Sequence, residues 1–292
     1  MSHFDTITAI YNPNSTNDAA TKAQDFARAA AERGVEVELF ETDHPGHAAE
    51  IAQDIIAAHD APLLISVSGD GGYNELINGV MRATKNTRKS PVVAILAAGN
   101  ANDHKRTTRG DTSLLDLITR GHPRPLDLLR VRAGVLDRYA HSYIGLGITP
   151  TVGIELNRYD LSWWREIVLI FRSFREFSPS AIHRNGETLR IANLIFANVS
   201  GMAKILKLDT AANHLNDGKF EVVLEPWRGR FRLVLHLLHL VLRGAPHAKQ
   251  HQQFTFTTTA RAPIQSDGEI DTLPAKTEVT ITAEKGAVLS LY

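Results

Sequence analysis

The sequence predicts an α/β domain built on a parallel sheet, residues 1–125, followed by a mainly β sandwich domain, residues 126–292. Three observations lead there. Strand-like and helix-like periods alternate through the first part of the chain, which favours parallel strands covered by helices. Short alternating segments with turns between them fill most of the remainder, as in a sandwich or barrel. Two apolar runs of the first part end in small-residue turns, "SGDGG" and "AAGNAND", and in open α/β sheets the ligand crevice lies outside the carboxyl ends of the strands.

The elements follow in order. "TITAIYNP" reads as a strand entering a turn, and "DAATKAQDFARAAAERG" as an alanine-rich helix closed by Gly34. "VEVELFET" alternates apolar and acidic residues as a strand does. "GHAAEIAQDIIAAHD" is a second helix, "PLLISVSG" a fully apolar strand, and "NELINGVMRAT" a third helix. After a basic loop with Lys85, Arg88 and Lys89, "PVVAILAAGNANDHKR" is another apolar strand running into a turn. The second part holds "LDLLRVRAG", "RYAHSYIGLGI", "LRIANLIFANVS", "GKFEVVLEP", "QQFTFTTTA", "APIQSDGEI", "EVTITAE" and "AVLSLY", of which the last could return to the first domain. Two helical segments interrupt them. "LSWWREIVLIFRSFREF" aligns Trp163, Ile167, Ile170, Phe174 and Phe177 on one stripe. "RFRLVLHLLHLVLRG" carries Arg232, His236, His239 and Arg243 as a narrow polar stripe on an apolar helix.

Composition excludes several classes. With 32 basic and 32 acidic side chains, no global charge argues for nucleic acid. The absence of cysteine removes disulfide frameworks and thiolate metal sites. No apolar stretch reaches the roughly 18 residues of a membrane span, and the N-terminus reads as a strand rather than a signal peptide. A cytoplasmic protein is expected.

The glycine cluster at residues 69–72 poses a chemical problem. Backbone N–H groups at a helix N-terminus favour anions, yet Asp70 in their midst would repel a phosphate unless a metal or a hydrogen-bond network intervenes. Neither a P-loop nor a dinucleotide fingerprint fits, because no Gly-Lys-Ser/Thr follows and the G-x-G-x-x-G spacing is missing. Taken alone, Asp70 reads as an Asx turn or helix cap, "SDGE" at 266–269 as a hairpin turn, and "NDGK" at 216–219 as a turn before a strand. The pairs His44/His47 and His247/His251 show no third converging ligand and read as surface residues.

"SGDGGYNELING" resembles the "GGDGTxNEVxNG" signature of the diacylglycerol kinase catalytic domain family, which includes bacterial lipid kinases and sphingosine kinases, with NAD kinases as distant relatives. Four further stretches are similar to family motifs in the same order: "NPNST", "LAAGNANDHKR", "NHLNDGKFEVVL" and "QSDGE". The chain departs from the pattern with Ser68 for Gly, Gly72 for Thr, Ala97 for Pro and Asn100 for Thr, and Thr16 stands where a glycine closes the first loop.

The resemblance implies a Rossmann-like, NAD-kinase-like nucleotide domain ahead of a lipid-binding β domain, with the site between them. It implies an ATP cradle of Asn12, Pro13, Asn14, Ser15, Thr16, Thr42, Gly69, Asp70, Gly71, Gly72, Tyr73, Asn74 and Glu75, with Asn100, Asn102 and Asp103 from the second loop. The glycines would allow close backbone approach and unusual φ angles. Asp70 would act in a water and Mg2+ network, since a divalent cation makes a carboxylate favourable beside phosphates.

Phosphorylating an alcohol needs a proton acceptor. The resemblance gives that role to Glu269 with Asp267 as its partner, two carboxylates able to face one pocket. It also implies a structural magnesium held by the Asp217 side chain and the carbonyls of His214 and Lys219. The activity implied is ATP- and Mg2+-dependent phosphorylation of a lipid hydroxyl, most directly that of diacylglycerol, at the inner face of the membrane. A homodimer is compatible with it. Arg228, Arg230 and Arg232 ahead of the apolar helix suit anionic headgroups. Two alternatives stay open: a kinase of the same fold with a soluble substrate, and a non-catalytic nucleotide- or lipid-binding protein.

Overall fold

The computed structural model describes residues 4–13, 18–99, 102–148, 178–199, 201–202, 206–207, 215–230, 232 and 249–292. Both apolar helical segments of the second part, and with them their stripes, lie outside the described residues, apart from Arg230 and Arg232 at the start of the second.

The chain divides into two compact units, residues 1–128 with 285–292, and residues 129–284. The first holds β1 (Ile7–Tyr11), α1 (Ala19–Ala31), β2 (Glu38–Glu41), α2 (His47–Ala58), β3 (Leu63–Ser68), α3 (Asp70–Thr84), β4 (Val92–Ala97), α4 (Asp103–Thr108) and α5 (Leu114–Arg120). Strand β5 (Arg124–Ala133) leads out of it. The second continues with β6 (Leu136–Ala140), β7 (Tyr143–Gly147), β8 (Ser180–Arg184), β9 (Glu187–Ala197), β10 (Gly201–Met202), β11 (Leu206–Lys207) and β12 (Phe220–Pro226). It closes with β13 (Lys249–His251), β14 (Gln253–Thr258), β15 (Ala262–Ser266), β16 (Glu269–Leu273) and β17 (Glu278–Ser290).

In the first unit β2, β1, β3 and β4 lie parallel in that order. The end of β17 pairs parallel with β4, Leu289 opposite Val92. Central β3 is buried along Leu63–Val67, as its continuous apolar run requires of a strand covered on both faces. The expected strand "VEVELFET" forms only over Glu38–Glu41 and is exposed throughout, because β2 borders a single neighbour at the sheet edge. Helix α1 buries Ala19, Ala23, Phe26 and Ala30, a helical stripe of mostly small side chains that packs close to the sheet. Helices α2 and α3 touch through a glycine. A Cβ on Gly79 would lie 2.6 Å from the Cα of Ala49, so only glycine allows that crossing.

The second unit is mostly β. Its antiparallel order is β16-β15-β7-β9-β8-β14-β17, with β12 on β9, β13 on β12, and β5 and β6 joined beyond β17. Alternate residues of these strands meet in one apolar core that includes Leu146, Leu194, Phe196, Phe220, Phe254, Phe256 and Ile281. Phe196 stacks edge-on against Phe220 and Phe254, at centroid separations of 5.8 and 5.2 Å.

Candidate functional site

A cleft of about 430 Å³ opens at the carboxyl ends of β1, β2 and β3, lined among others by Asn12, Thr42, Asp43, His44, Ser68, Gly72 and Glu75. Thr42 is fixed there because its backbone N–H donates to Tyr11 O at 2.9 Å, continuing the β1–β2 ladder by one residue. Glu75 leans across from α3 and accepts the N–H of Ala48 in the first turn of α2 at 2.9 Å. That bond caps α2, which begins after the left-handed Gly46 without a side-chain cap of its own.

The glycine cluster is not a loose turn. Helix α3 begins at Asp70, four residues earlier than the sequence pattern suggests, and none of Gly69, Gly71, Gly72 or Gly99 has a positive φ. The expectation of unusual φ angles is therefore corrected: these glycines serve close approach. A Cβ on Gly99 would lie 2.4 Å from Gly69 Cα. The turns after β3 and β4 are thus packed backbone against backbone.

Asp70 ties the two turns together. Its Oδ2 accepts the N–H of Asp103 at 2.9 Å and its Oδ1 the N–H of His104 at 3.0 Å. The carboxylate sits on the first turn of α4 and satisfies two of the donors that a helix N-terminus leaves unpaired. Asn102, left-handed at φ 51°, completes the loop. Its side chain accepts from Gly99 N at 3.0 Å and donates to Gly99 O at 2.6 Å. Asp103 is buried and pairs with Arg106. Lys22 of α1 donates to Ala97 O at 3.4 Å, which puts an ammonium group beside the second turn. Sequence reasoning passed over Lys22, whose only signal is a cation in the helix following the first loop.

Two departures from the family pattern compensate each other. A Cβ on Gly72 would lie 2.7 Å from both Cβ and Oγ of Ser68. Ser68 Oγ lies 2.7 Å from Ser66 Oγ and donates to Gly69 O at 2.9 Å. The volume and hydroxyl that the family carries at position 72 enter the same space here from position 68. Gly72→Thr alone should therefore be strongly destabilising, whereas Ser68→Gly with Gly72→Thr should recover most of the loss. A double-mutant cycle by urea denaturation should show a coupling of about 0.5–3 kcal/mol; simple additivity would refute the exchange.

Other cradle candidates are placed differently. The side chains of Tyr73 and Asn74 are buried on the inner side of α3. The Tyr73 ring lies 5.0 Å from that of His104 and its hydroxyl 3.3 Å from Ser290 Oγ. Asn74 accepts from Asn78 Nδ2 at 3.1 Å. These side chains hold the helix rather than face the cleft. Pro13 lies in the turn after β1. Asn14, Ser15, Thr16 and Asn100 fall outside the described residues, as does His214. Asp217 accepts the N–H of Lys219 at 2.9 Å, which is the local turn that the residues read as when taken alone.

In the second unit, "SDGE" forms the tip of the β15–β16 hairpin, Ser266 opposite Glu269. Asp267 and Gly268 both have positive φ, 49° and 100°, the pattern of a two-residue type I′ connection. The carboxylates at positions 267 and 269 sit in different surroundings. Asp267 is buried and accepts three backbone N–H groups, from His141 at 2.6 Å, Ser142 at 3.0 Å and Tyr143 at 2.9 Å. The His141 ring, also buried, lies 3.3 Å from it. Glu269 is half exposed, 3.9 Å from the guanidinium of Arg138, which also pairs with Asp271 at 3.1 Å.

One cluster at the cleft was not foreseen. Asp43 Oδ1 lies against His44 Nδ1 and 2.7 Å from His47 Nδ1. The bond to His44 holds the Asp43 carboxyl below its usual range, and the same bond raises the His44 imidazole. The sequence signal was the run Asp-His-Pro-Gly-His, but convergence depends on the turn through Gly46, at φ 94°.

Known proteins resemble this arrangement. The family model for the diacylglycerol kinase catalytic domain matches residues 6–131. The chain is 32% identical to a diacylglycerol kinase of Staphylococcus saprophyticus over 124 residues, 41% of this chain and 39% of that protein. It is 23% identical over 277 residues to a diacylglycerol kinase of Bacillus subtilis, 90% of this chain and 87% of that one. The crystal structure of a diacylglycerol kinase from Bacillus anthracis strain Sterne superposes with a TM-score of 0.71 at 18% identity, covering 100% of this chain and 98% of that one. That likeness shows a shared fold. The paired glycine turns braced by Asp70 lie in the segment, residues 6–131, that is similar to the diacylglycerol kinase catalytic domain.

Proposed function

We propose that the chain is an ATP- and magnesium-dependent lipid kinase that phosphorylates a lipid hydroxyl, most directly that of diacylglycerol. The observation that carries this reading is the packing of Gly69 on Gly99 with Asp70 bridging to Asp103 and His104. It presents two loops and a helix start at the carboxyl ends of the strands, where nucleotide phosphates are bound in such sheets. Gly71 and Gly72 bring the backbone of α3 to the cleft without side chains in the way, and Lys22 offers a cation for the phosphates.

Magnesium would be held by phosphate oxygens and by oxygen donors on the cleft wall such as Glu75, a hard-ligand set of the kind the ion takes. Bound there, magnesium would neutralise phosphate charge. The lipid oxygen attacks the γ-phosphorus, the bond to the bridging oxygen breaks, and ADP departs. Glu269 takes the hydroxyl proton, with the Arg138 guanidinium 3.9 Å from it. Arg228, Arg230 and Arg232 are exposed and supply charge for an anionic inner membrane face.

Transfer of labelled γ-phosphate from ATP to a panel of lipid alcohols in mixed micelles tests the reading. Diacylglycerol should be labelled, and no label should appear without magnesium. Labelling of NAD in the absence of lipid, with none on any lipid alcohol, would move the chain to the soluble-substrate class.

A further inference from the structure

We propose that Asp43, His44 and His47 form a binding site for a divalent transition metal, of the zinc type, on the wall of the nucleotide cleft. The three residues are the only group of three or more His, Asp or Glu side chains among the described residues whose ligand atoms all lie within 4.8 Å of one another. A carboxylate with two imidazoles is a donor set for zinc, cobalt or nickel, whereas magnesium and calcium take oxygen donors.

The hydrogen bonding inside the cluster asks for a cation. His47 Nδ1 receives the Asp43 backbone N–H at 3.2 Å and also faces Asp43 Oδ1 at 2.7 Å. One ring nitrogen carries either a lone pair or a hydrogen, so it cannot accept from the first and donate to the second. His44 Nδ1 presses on the same carboxylate oxygen. A metal ion between the three atoms would take the lone pairs of both ring nitrogens and of the carboxylate oxygen, replacing the close N···O contacts and releasing the exposed Asp43 N–H to water.

The surroundings favour the metal form. His44 Nε2 lies 3.4 Å from Glu50, a carboxylate placed to hold the proton on Nε2 and leave Nδ1 as a lone pair. The two rings are stacked at 4.6 Å and 14°, and both Nδ1 atoms face the same Asp43 oxygen. Ligand atoms in a tetrahedral site with bonds of about 2.1 Å stand about 3.4 Å apart, so the His47–Asp43 contact at 2.7 Å needs to open by about 0.7 Å and the His44 contact by about an ångström. Exposed Asp43 and half-exposed His44 have room to do so. Three protein ligands leave a position for water or an oxygen donor from the cleft.

The site stands whether or not the chain transfers phosphate, and its test reads metal rather than activity. Full-length protein treated with EDTA and titrated with Co2+ should take up a single equivalent with visible ligand-field absorption, which Zn2+ displaces and millimolar Mg2+ does not. His44→Ala and His47→Gln, folded by circular dichroism, should each weaken Co2+ binding by about tenfold or more. Uptake of Co2+ unchanged in both variants, or displaced by Mg2+, would overturn the assignment, as would no uptake by the native chain.

Discussion

Gly99→Ala should lose ATP binding and about 1–3 kcal/mol of stability, the usual cost of forcing a carbon into closed packing. The new methyl would begin 2.4 Å from Gly69 Cα and 3.1 Å from Gly69 N. Both are backbone atoms, so no side chain can rotate away and the two turns must part. Parting them stretches the bonds from Asp103 and His104 to Asp70, and with them the register of α4 against α3. Gly69→Ala is the graded comparison. Its Cβ would meet Gly99 Cα at 3.1 Å, a contact that a few tenths of an ångström relieve, so its effect should be smaller on both measures. Calorimetric titration with ATP and urea denaturation decide the matter. Native ATP affinity in a folded Gly99→Ala protein would show that the packed turns are not the nucleotide cradle.

How much of this was legible depends on the range of the interaction. The four parallel strands could be read because period and turn residues are local properties, and β3 shows its burial in its own apolar run. Strand β2 was overestimated because an edge position is a property of the sheet, not of "VEVELFET" itself. The glycines at 69 and 99 were visible, but their reason was not. A positive φ would have been a local cause, while the contact between turns 30 residues apart is a tertiary one. Asp70 shows the same limit, since its cap is on a helix that begins at Asp103. Ser68 and Gly72 looked like separate losses until their side-chain positions coincided in space. The Asp43 cluster escaped because spacing alone cannot show that a loop bends two imidazoles onto one carboxylate.

Glu269→Gln should bind ATP and lipid nearly as the native protein does while losing on the order of 10² or more in kcat. Gln keeps the size and hydrogen bonding but cannot accept a proton near neutral pH. Its stability should hardly change, because Glu269 is half exposed and its ion pair with Arg138, at 3.9 Å, is of the weak surface kind. Asp267→Asn should behave in the opposite sense. The carboxylate accepts three N–H groups with no water to replace it. An amide can keep the two on Oδ1 but turns its NH2 toward the His141 N–H, so about 1–3 kcal/mol of stability should go. Its chemistry should suffer only as far as the hairpin tip shifts Glu269. Single-turnover rates and urea midpoints on both variants separate the roles. A Glu269→Gln enzyme with native single-turnover rates, beside an Asp267→Asn enzyme that is stable but inactive, would transfer the base to Asp267 and make the three N–H donors part of the catalytic machinery rather than of the fold.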